Sequence, residues 1–533
     1  MNRIDKFRRQ DWILTLFFFT MSLALRIPFR SQMAYHWDSA QFSLAVNQYD
    51  IRLSQPHAPG YFLYVMFGRL VNCFVGDPHA SLVWISIVFG SALPSILYLL
   101  GTSMFGRRAG AITVLVTMTS PQTWFHSCVA LTYIVDSFLV CAMVFVLWEG
   151  TQNGGTFWVA VLTGTILALI GGVRQQSVPG LLPLIVFAFW RFRRARAAKL
   201  TLAATVATGF GIAWFLPMIR LSGGIGTYLE IIRRHAAFNA PATFLGGGWR
   251  ALFDNVARVA GFCWNGLALA AAVLIAALFH RAFRMSEQRK RQWDGRHSTA
   301  LKFLAFWIVP MMLLGTVIGF TKQPGYVLSY LPGWFVLIGA LVAALGRRSY
   351  RTITTCTICI TNIFVFVAWP AQWDQVFFGV GRTAREIREH DRRLSQTVAT
   401  IRRLFKPNDV IVCHADEFYL YGLRHFQLYL PEYDNYQLAI DSTTIHPKGR
   451  PMWRARGGCL QYVAGLDLEK KKGIILVVPP KEDVGIFKQY VSLANITCLT
   501  NREPALYFLP VARRMGGREV LHTNSGREPV SRP

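Results

Sequence analysis

The chain has 533 residues, of which 53% are hydrophobic, 14% aromatic and only 16% charged, where an ordinary soluble domain carries roughly a quarter charged residues. That composition excludes a soluble globular protein and describes an integral membrane protein. Lys and Arg total 56 against 28 Asp and Glu, a formal net charge of +28. The excess sits in short clusters between apolar runs, which is how membrane-orienting charge is distributed, so a nucleic-acid partner is excluded. The nine Cys are scattered between apolar segments and the C-terminal region and outline no disulfide framework.

A spanning helix needs roughly 20 mostly apolar residues. Eleven windows qualify or come close: 12–29, 82–105, 109–124, 128–148, 157–172, 176–190, 200–219, 258–280, 300–320, 326–345 and 353–370. The run 61–75 is a twelfth apolar stretch, but it is short and follows a Pro-rich turn, so it reads as an interfacial or re-entrant helix on the outer side. With the N-terminus inside, the heaviest cation clusters, at 191–199 and 281–296, fall on the cytoplasmic side. Counting 61–75 as a full span would scatter them over both sides. No small-residue cleavage site follows 12–25 before Arg26, so the first helix is expected to stay uncleaved.

After residue 370 the character changes. The runs 410–413 and 474–478 are short and β-branched, and 381–405 has helical spacing with abundant Arg, which predicts a small α/β domain. The expected organisation is a polytopic α-helical membrane domain of about 11 spans over 1–370, whose outer loop 30–81 contains the interfacial helix. An extracytoplasmic α/β domain over 371–512 and a disordered Gly, Arg and Ser-rich tail over 513–533 follow. No internal repeat of the kind found in inverted-repeat transporters is visible.

Chemistry concentrates in the outer segments. The first loop reads Tyr35-His36-Trp37-Asp38-Ser39-Ala40-Gln41-Phe42, then Gln55-Pro56-His57-Ala58-Pro59-Gly60-Tyr61-Phe62. Asp38, just after a membrane helix and flanked by Trp and His, suits a general base taking a proton from a substrate at the membrane surface; capping an interfacial helix is the plain alternative. Asp136 lies in an apolar run one turn after Thr132-Tyr133, where a carboxylate is costly enough to mark a functional site, with a helix–helix hydrogen bond as its alternative role. Arg174, after Gly171-Gly172, occupies a short outer turn and suits a phosphate at the outer leaflet; snorkelling would also explain it. Lys322-Gln323-Pro324-Gly325-Tyr326 presents a second cation in the same manner. Cys356 and Cys359 read as packing residues, and the histidines lack metal-motif spacing, so no metal is assigned. Asn495-Ile496-Thr497 is a glycosylation acceptor pattern on the outer side.

These segments, in this order, resemble the GT-C glycosyltransferases that use lipid-phosphate sugars, especially the protein O-mannosyltransferases and the bacterial aminoarabinose transferases. Asp38 followed by His57-Ala58-Pro59-Gly60-Tyr61 is similar to that class's first-loop acid and its His/Pro/Gly/Tyr segment, with Ala58 where a His-Pro-Pro segment has its second residue. Thr132 to Asp136 looks like the class's second acidic site, and Lys322 to Leu328 is similar to its Lys-x-Pro-x-Tyr-x-Leu stretch near the donor phosphate. The resemblance spans about residues 10 to 345.

It implies transfer of a monosaccharide from a polyprenyl-phosphate-linked donor to a lipid, glycan or protein acceptor at the outer face of a bacterial inner membrane or its equivalent. Asp38 would be the general base and Asp136 a second catalytic acid that orients Asp38 or the acceptor, or holds a divalent cation if one is used. His57, Arg174, Lys322 and Tyr326 would meet the donor phosphate; no other cofactor is called for. Two rival readings remain at this stage. A transporter or flippase of a lipid-linked sugar would show broken helices and pseudosymmetry. A membrane-anchored sensor would need fewer spans.

Overall fold

The computed structural model describes residues 7–192, 194–279, 296–318, 323–368, 383–414, 421–438, 452–456, 459–463, 466–478, 483–488, 491–501 and 504–511. They fall into two compact units. The first holds the described residues of 1–31, 50–52 and 57–387; the second holds 32–49, 53–56 and the described residues from Arg388 onward.

The helices, in chain order, begin with α1 (Arg9–Arg26), α2 (Trp37–Asn47, in the second unit), α3 (Phe62–Val75), α4 (Pro78–Phe105), α5 (Arg107–Thr119) and α6 (Pro121–His126). There follow α7 (Tyr133–Gln152), α8 (Phe157–Val173), α9 (Val178–Trp190), α10 (Arg196–Leu221), α11 (Ile225–Asn239) and α12 (Phe244–Leu267). The first unit closes with α13 (Ala270–Phe279), α14 (Arg296–Ile318), α15 (Leu331–Ala343) and α16 (Arg348–Ala368). Among the described residues six helices are long and apolar enough to cross a membrane, namely α1 with its extension to Phe29, α4, α7, α10, α14 from His297 and α16. This is the helix inventory of a multi-pass membrane protein. The shorter apolar helices α3, α8, Gln175–Trp190 and α15 fill the spaces between them.

Several of the expected windows are not single straight helices; 326–345, for one, is divided between the 3-10 turn Pro324–Ser329 and α15. The window 109–124 is divided between α5 and α6, because Ser120 leaves helical geometry and Pro121 restarts the chain in the first turn of α6, a position where a missing N–H costs nothing. The window 258–280 is bent: α12, itself kinked at Gly248 where φ is 63 and ψ −152, turns by 110° into α13, where Ala268 takes φ 45 and ψ −128. Hydropathy misses this bend because both arms are apolar.

Burial orders the helices. In α4 and α7, 72% and 61% of the spanning window is buried, against 17% in α1 and 11% in α10. The first pair forms the centre of the unit, and the others present apolar side chains such as Phe17, Phe210 and Ile212 outward, as a lipid-facing helix does. Small residues bring the central helices together: a Cβ on Gly110 of α5 would lie 2.7 Å from the Tyr98 carbonyl of α4, so this close approach requires glycine. Asp11, in the first turn of α1, accepts from Nε and Nη2 of Arg107 at 2.8 and 2.7 Å and from the Tyr98 hydroxyl at 2.9 Å, which fastens α1 to the α4–α5 hairpin.

In the second unit, seven described strands form one sheet in the order β4-β3-β2-β1-β5-β7-β6. They are β1 (Val410–His414), β2 (Asp434–Leu438), β3 (Met452–Arg456), β4 (Cys459–Val463), β5 (Gly473–Val478), β6 (Thr497–Thr500) and β7 (Ala505–Pro510). Strands β2, β1 and β5 are mutually parallel and the outer pairings are antiparallel. Every residue of β1 and β5 is buried, the reason these runs are continuously apolar: both faces of a central parallel strand are covered. Val410 and Val412 pack against Leu394, Val398 and Ile401 of α17 (Ala384–Leu404) and Phe426 of α18 (Leu423–Tyr429), while Ile411 and Cys413 face Ile474, Leu476 and Phe487. The segment 32–49, expected as membrane-domain loop, is bound into this unit by the N–H groups of Gln32 and Met33, which donate to Asp391 at 2.7 and 2.9 Å, and of Ala34, which donates to the Tyr429 hydroxyl at 2.7 Å.

Two buried histidines make this unit acid-sensitive. Burial pushes His414 down to about 3, and burial, with His390 and His36 nearby, pushes His425 well below the ordinary histidine range. Both are neutral when folded and protonate when unfolded below about 6.5. Their contribution is therefore complete above about pH 6.5 and shrinks as pH falls toward the depressed folded values, by roughly 1.4 kcal/mol per histidine per pH unit. Acidification from pH 7.5 to 5.5 is expected to cost this unit about 3 kcal/mol. Urea titrations followed by proteolysis of the C-terminal unit measure it, and a flat stability profile across that interval would refute the assignment.

Candidate functional site

Arg174 caps the C-terminus of α8, where its backbone turns to φ −156 and ψ 89 and leads through the 3-10 turn Gln175–Ser177 into α9. The sequence presents it as an exposed cation in a short turn. In the structure the side chain is buried, with 3% of the residue exposed, so the snorkelling alternative fails. Its guanidinium lies in a notch between two aromatic rings, 4.2 Å from the centroids of both Tyr133 and Tyr326, whose planes meet at 64°. Cation–π attraction of this kind strengthens when the partners are desolvated. Nη1 donates to the Thr132 hydroxyl at 3.0 Å. Nη2 has no hydrogen-bond partner among the described residues.

Asp136 sits one turn into α7, directly beyond Thr132 and Tyr133. It is 2% exposed, and its Oδ2 accepts from the Ser177 hydroxyl at 2.7 Å. Oδ1 has no partner among the described residues. The carboxylate and Arg174 are close enough to interact electrostatically but form no ion pair within 4 Å among the described residues. An unfilled donor and an unfilled acceptor in one buried place is costly, at about 1–3 kcal/mol for each orphaned group, and such a place is suited to a charged ligand.

The ring of Tyr326 comes from the six-residue 3-10 turn Pro324–Ser329. That turn is tied to α7 by the Ser137 hydroxyl, which donates to the Leu328 carbonyl at 2.7 Å, and to α14 by Trp307 Nε1, which donates to the Ser329 carbonyl at 3.0 Å. A Cβ on Gly325 would come within 2.3 Å of the Tyr133 ring, so the contact of this turn with Tyr133 depends on glycine. Lys322, the second expected cation, lies outside the described residues.

His57 approaches the same place from the loop before α3. Its Nε2 lies 3.2 Å from the Tyr61 hydroxyl, which accepts from Gln176 Nε2 at 3.4 Å, and its ring is 6.1 Å from that of His235 on α11. Tyr61 takes φ 44, an uncommon conformation for a bulky residue and the kind of local strain found at functional sites. A cavity of about 190 Å³ beside Arg174 is lined by Arg174, Ser177 and Tyr326 together with Met311, Leu314 and Ile318 of α14.

Asp38 belongs to the second unit, in the first turn of α2. The N-cap there is His36, whose Nδ1 accepts the Asp38 backbone N–H at 3.1 Å, so the helix-capping alternative for Asp38 falls to its neighbour. The Asp38 carboxylate stays partly exposed, with Oδ2 3.6 Å from His36 Nδ1. Among the described residues no group of three His, Cys, Asp or Glu is placed to hold a metal ion.

The first unit thus brings together Asp136, Arg174, Tyr326 and His57. Ser177, Gln176 and His235 join them without having been singled out in sequence: a serine ahead of Val-Pro reads as a helix cap, and His235 lies in an ordinary amphipathic run. Among solved structures the chain is similar to ArnT from Cupriavidus metallidurans in the apo state, with a TM-score of 0.54 and 12% identity over 94% of this chain and 97% of that one. It is also similar to the same protein bound to undecaprenyl phosphate, with a TM-score of 0.51 and 11% identity over the same shares. The archaeal oligosaccharyltransferase AglB from Archaeoglobus fulgidus aligns over 80% of this chain and 63% of its own, at 14% identity and a TM-score of only 0.44, which carries no weight. No protein-family profile and no curated protein matches the sequence. Such low identities establish architecture and nothing finer: the chain shares the fold of ArnT.

Proposed function

We propose that the protein transfers a monosaccharide from a polyprenyl-phosphate-linked donor to an acceptor hydroxyl at the outer face of the membrane, inverting the anomeric configuration. The observation that carries this reading is the Arg174 notch. A buried guanidinium with a vacant N–H edge lines a cavity whose walls are otherwise largely apolar, and an isoprenoid phosphate combines the matching chemistries: one anionic head on a long hydrocarbon. The ArnT structure named above is bound to undecaprenyl phosphate, a lipid of this kind.

In the proposed reaction the acceptor hydroxyl gives its proton to Asp38 as its oxygen attacks the anomeric carbon. The bond from that carbon to the phosphate oxygen breaks, and the electron pair leaves with the polyprenyl phosphate. Arg174 stabilises the charge growing on the departing phosphate. It does so in a buried place where the charge–charge interaction is strong and the donor is already oriented by Tyr133 and Tyr326. Asp136 fixes Ser177 and partly balances Arg174 when no donor is bound. His57 and Lys322 serve as further phosphate contacts. The C-terminal unit is assigned to the extracytoplasmic side, an orientation supported by the charge bias of the loops.

Among the described residues the bent α12–α13 pair and the buried charges Asp136 and Arg174 are features a transporter would share. The cavity beside it is almost wholly apolar, lined by Val259, Cys263, Leu267 and Met312 with Thr316 and Trp334, which offers little to an ion or sugar, so the transferase reading stands ahead.

The test is thermal unfolding of the full chain in neutral detergent with undecaprenyl phosphate or the uncharged alcohol undecaprenol. At 100-fold excess over its dissociation constant a specific ligand stabilises by about 2.7 kcal/mol. The phosphate is expected to raise the melting temperature and the alcohol far less; equal shifts would sink the phosphate site. A reporter fused near residue 400 should prove extracytoplasmic, and cytoplasmic readout would overturn the orientation.

A further inference from the structure

Outside the donor site, a sizeable concavity lies wholly in the second unit. It is a groove of about 910 Å³ between the exposed side of α17 and the β6–β7 edge, lined by Arg392, Arg393, Gln396, Thr400, Arg403 and Leu499 among others. That volume is at the upper end of small-ligand sites, roughly 300–1,000 Å³, and is too large for a lone ion. None of its described lining residues is a carboxylate. Arg393 pairs with Glu389, and Arg392 reaches the same carboxylate at 3.8 Å. Arg403 and the Thr400 hydroxyl have no partner among the described residues, and both remain at least partly open to solvent.

The lining is specific in kind. Thr400, Thr500 and Gln396 offer hydroxyls and an amide, Leu404, Leu499 and Pro504 apolar surface, and three arginines positive charge. Hydroxyls and amides match sugar hydroxyls, apolar surfaces match the C–H faces of sugar rings, and arginine forks match carboxylates or phosphates. No aromatic ring lines the groove among the described residues, so the stacking platform that single-stranded nucleic acids use is missing.

We propose that this groove binds an anionic glycan, a short saccharide chain carrying carboxylate or phosphate groups, as part of the acceptor. The acceptor role rests on the transferase reading; the binding itself rests on the groove alone.

The experiment uses the full chain in neutral detergent at fixed ionic strength. Fluorescently labelled oligogalacturonate is the probe, and a neutral dextran oligomer of equal length is the control. Arg392→Ala/Arg403→Ala is compared with Arg385→Ala/Arg388→Ala, which removes equal charge from the same helix outside the groove; all four arginines are exposed. The groove pair is expected to weaken oligogalacturonate binding about tenfold, as loss of charge-assisted contacts does, and the control pair less than about twofold. Thr400→Val should weaken it a few-fold with no change of charge. Equal losses in the two arginine pairs, wild-type affinity no better for oligogalacturonate than for dextran, or no effect of Thr400→Val would each overturn the proposal. So would groove-dependent binding to phosphatidylglycerol vesicles without oligogalacturonate binding, which would make the surface a lipid contact. Because Arg174→Ala leaves this groove intact, unchanged donor parameters in that variant with oligogalacturonate binding retained would fault the transferase reading and spare the groove.

Discussion

Replacing Asp38 by Asn is expected to lower sugar transfer by about 10²- to 10⁴-fold, the usual cost of removing a general base, while the protein folds and binds polyprenyl phosphate as before. The exchange keeps size and shape. The first turn of α2 is capped by His36 and not by Asp38, so the helix loses little, and the carboxylate is partly exposed, so an amide of the same shape is accommodated. What changes is basicity: an amide cannot take the acceptor's proton. Turnover measured at saturating donor and acceptor decides the matter, with undecaprenyl phosphate thermal shifts as the folding control. Near wild-type turnover in a stable Asp38→Asn protein would remove Asp38 from the reaction.

Arg174→Ala should weaken donor binding or turnover by about 10- to 150-fold, equivalent to losing a charge-assisted contact of about 1.5–3 kcal/mol. Because the side chain packs against two rings and Thr132, alanine also leaves a void, and stability must be followed alongside. Arg174→Lys separates the effects: it keeps the charge but loses the planar fork that fits between Tyr133 and Tyr326 and reaches Thr132 at the same time. The lysine variant should therefore remain folded yet recover only a small part of the donor affinity. Asp136→Asn probes the same cluster from the other side, and because Asp136 and Arg174 interact, the double variant should depart from additivity. Donor-titrated kinetics and undecaprenyl phosphate melting curves in detergent report all four proteins. Unchanged donor parameters in both Arg174 variants would mean that the phosphate is held elsewhere.

Much of the architecture is legible along the chain because it is written in local patterns. An apolar run of spanning length has few alternatives in a membrane, so each expected window contains described helix, and α3 appears at Phe62–Val75 where a short run after a proline turn places it. The continuous β-branched runs 410–413 and 474–478 become β1 and β5, adjacent parallel strands buried on both faces. Asp136 and Arg174 were also recognisable one at a time, since a charge in an apolar setting is expensive wherever the chain goes.

Their meeting was not recognisable. Thr132 and Arg174 are 42 residues apart, and Asp136 and Ser177 41; no periodicity connects them, because hydropathy reports which way a helix faces and not which neighbour it faces. The same limit hid the 110° turn after Leu267, where both arms are apolar, and the membership of residues 32–49 in the C-terminal unit, which depends on Asp391 and Tyr429 more than 350 residues later. The sequence by itself determined a membrane-spanning helical body, a small α/β unit and the charged residues worth attention. Only tertiary packing decided that Arg174 is buried between two tyrosines with a vacant N–H edge, because desolvation and ring contacts are properties of the assembled helices and of no single segment.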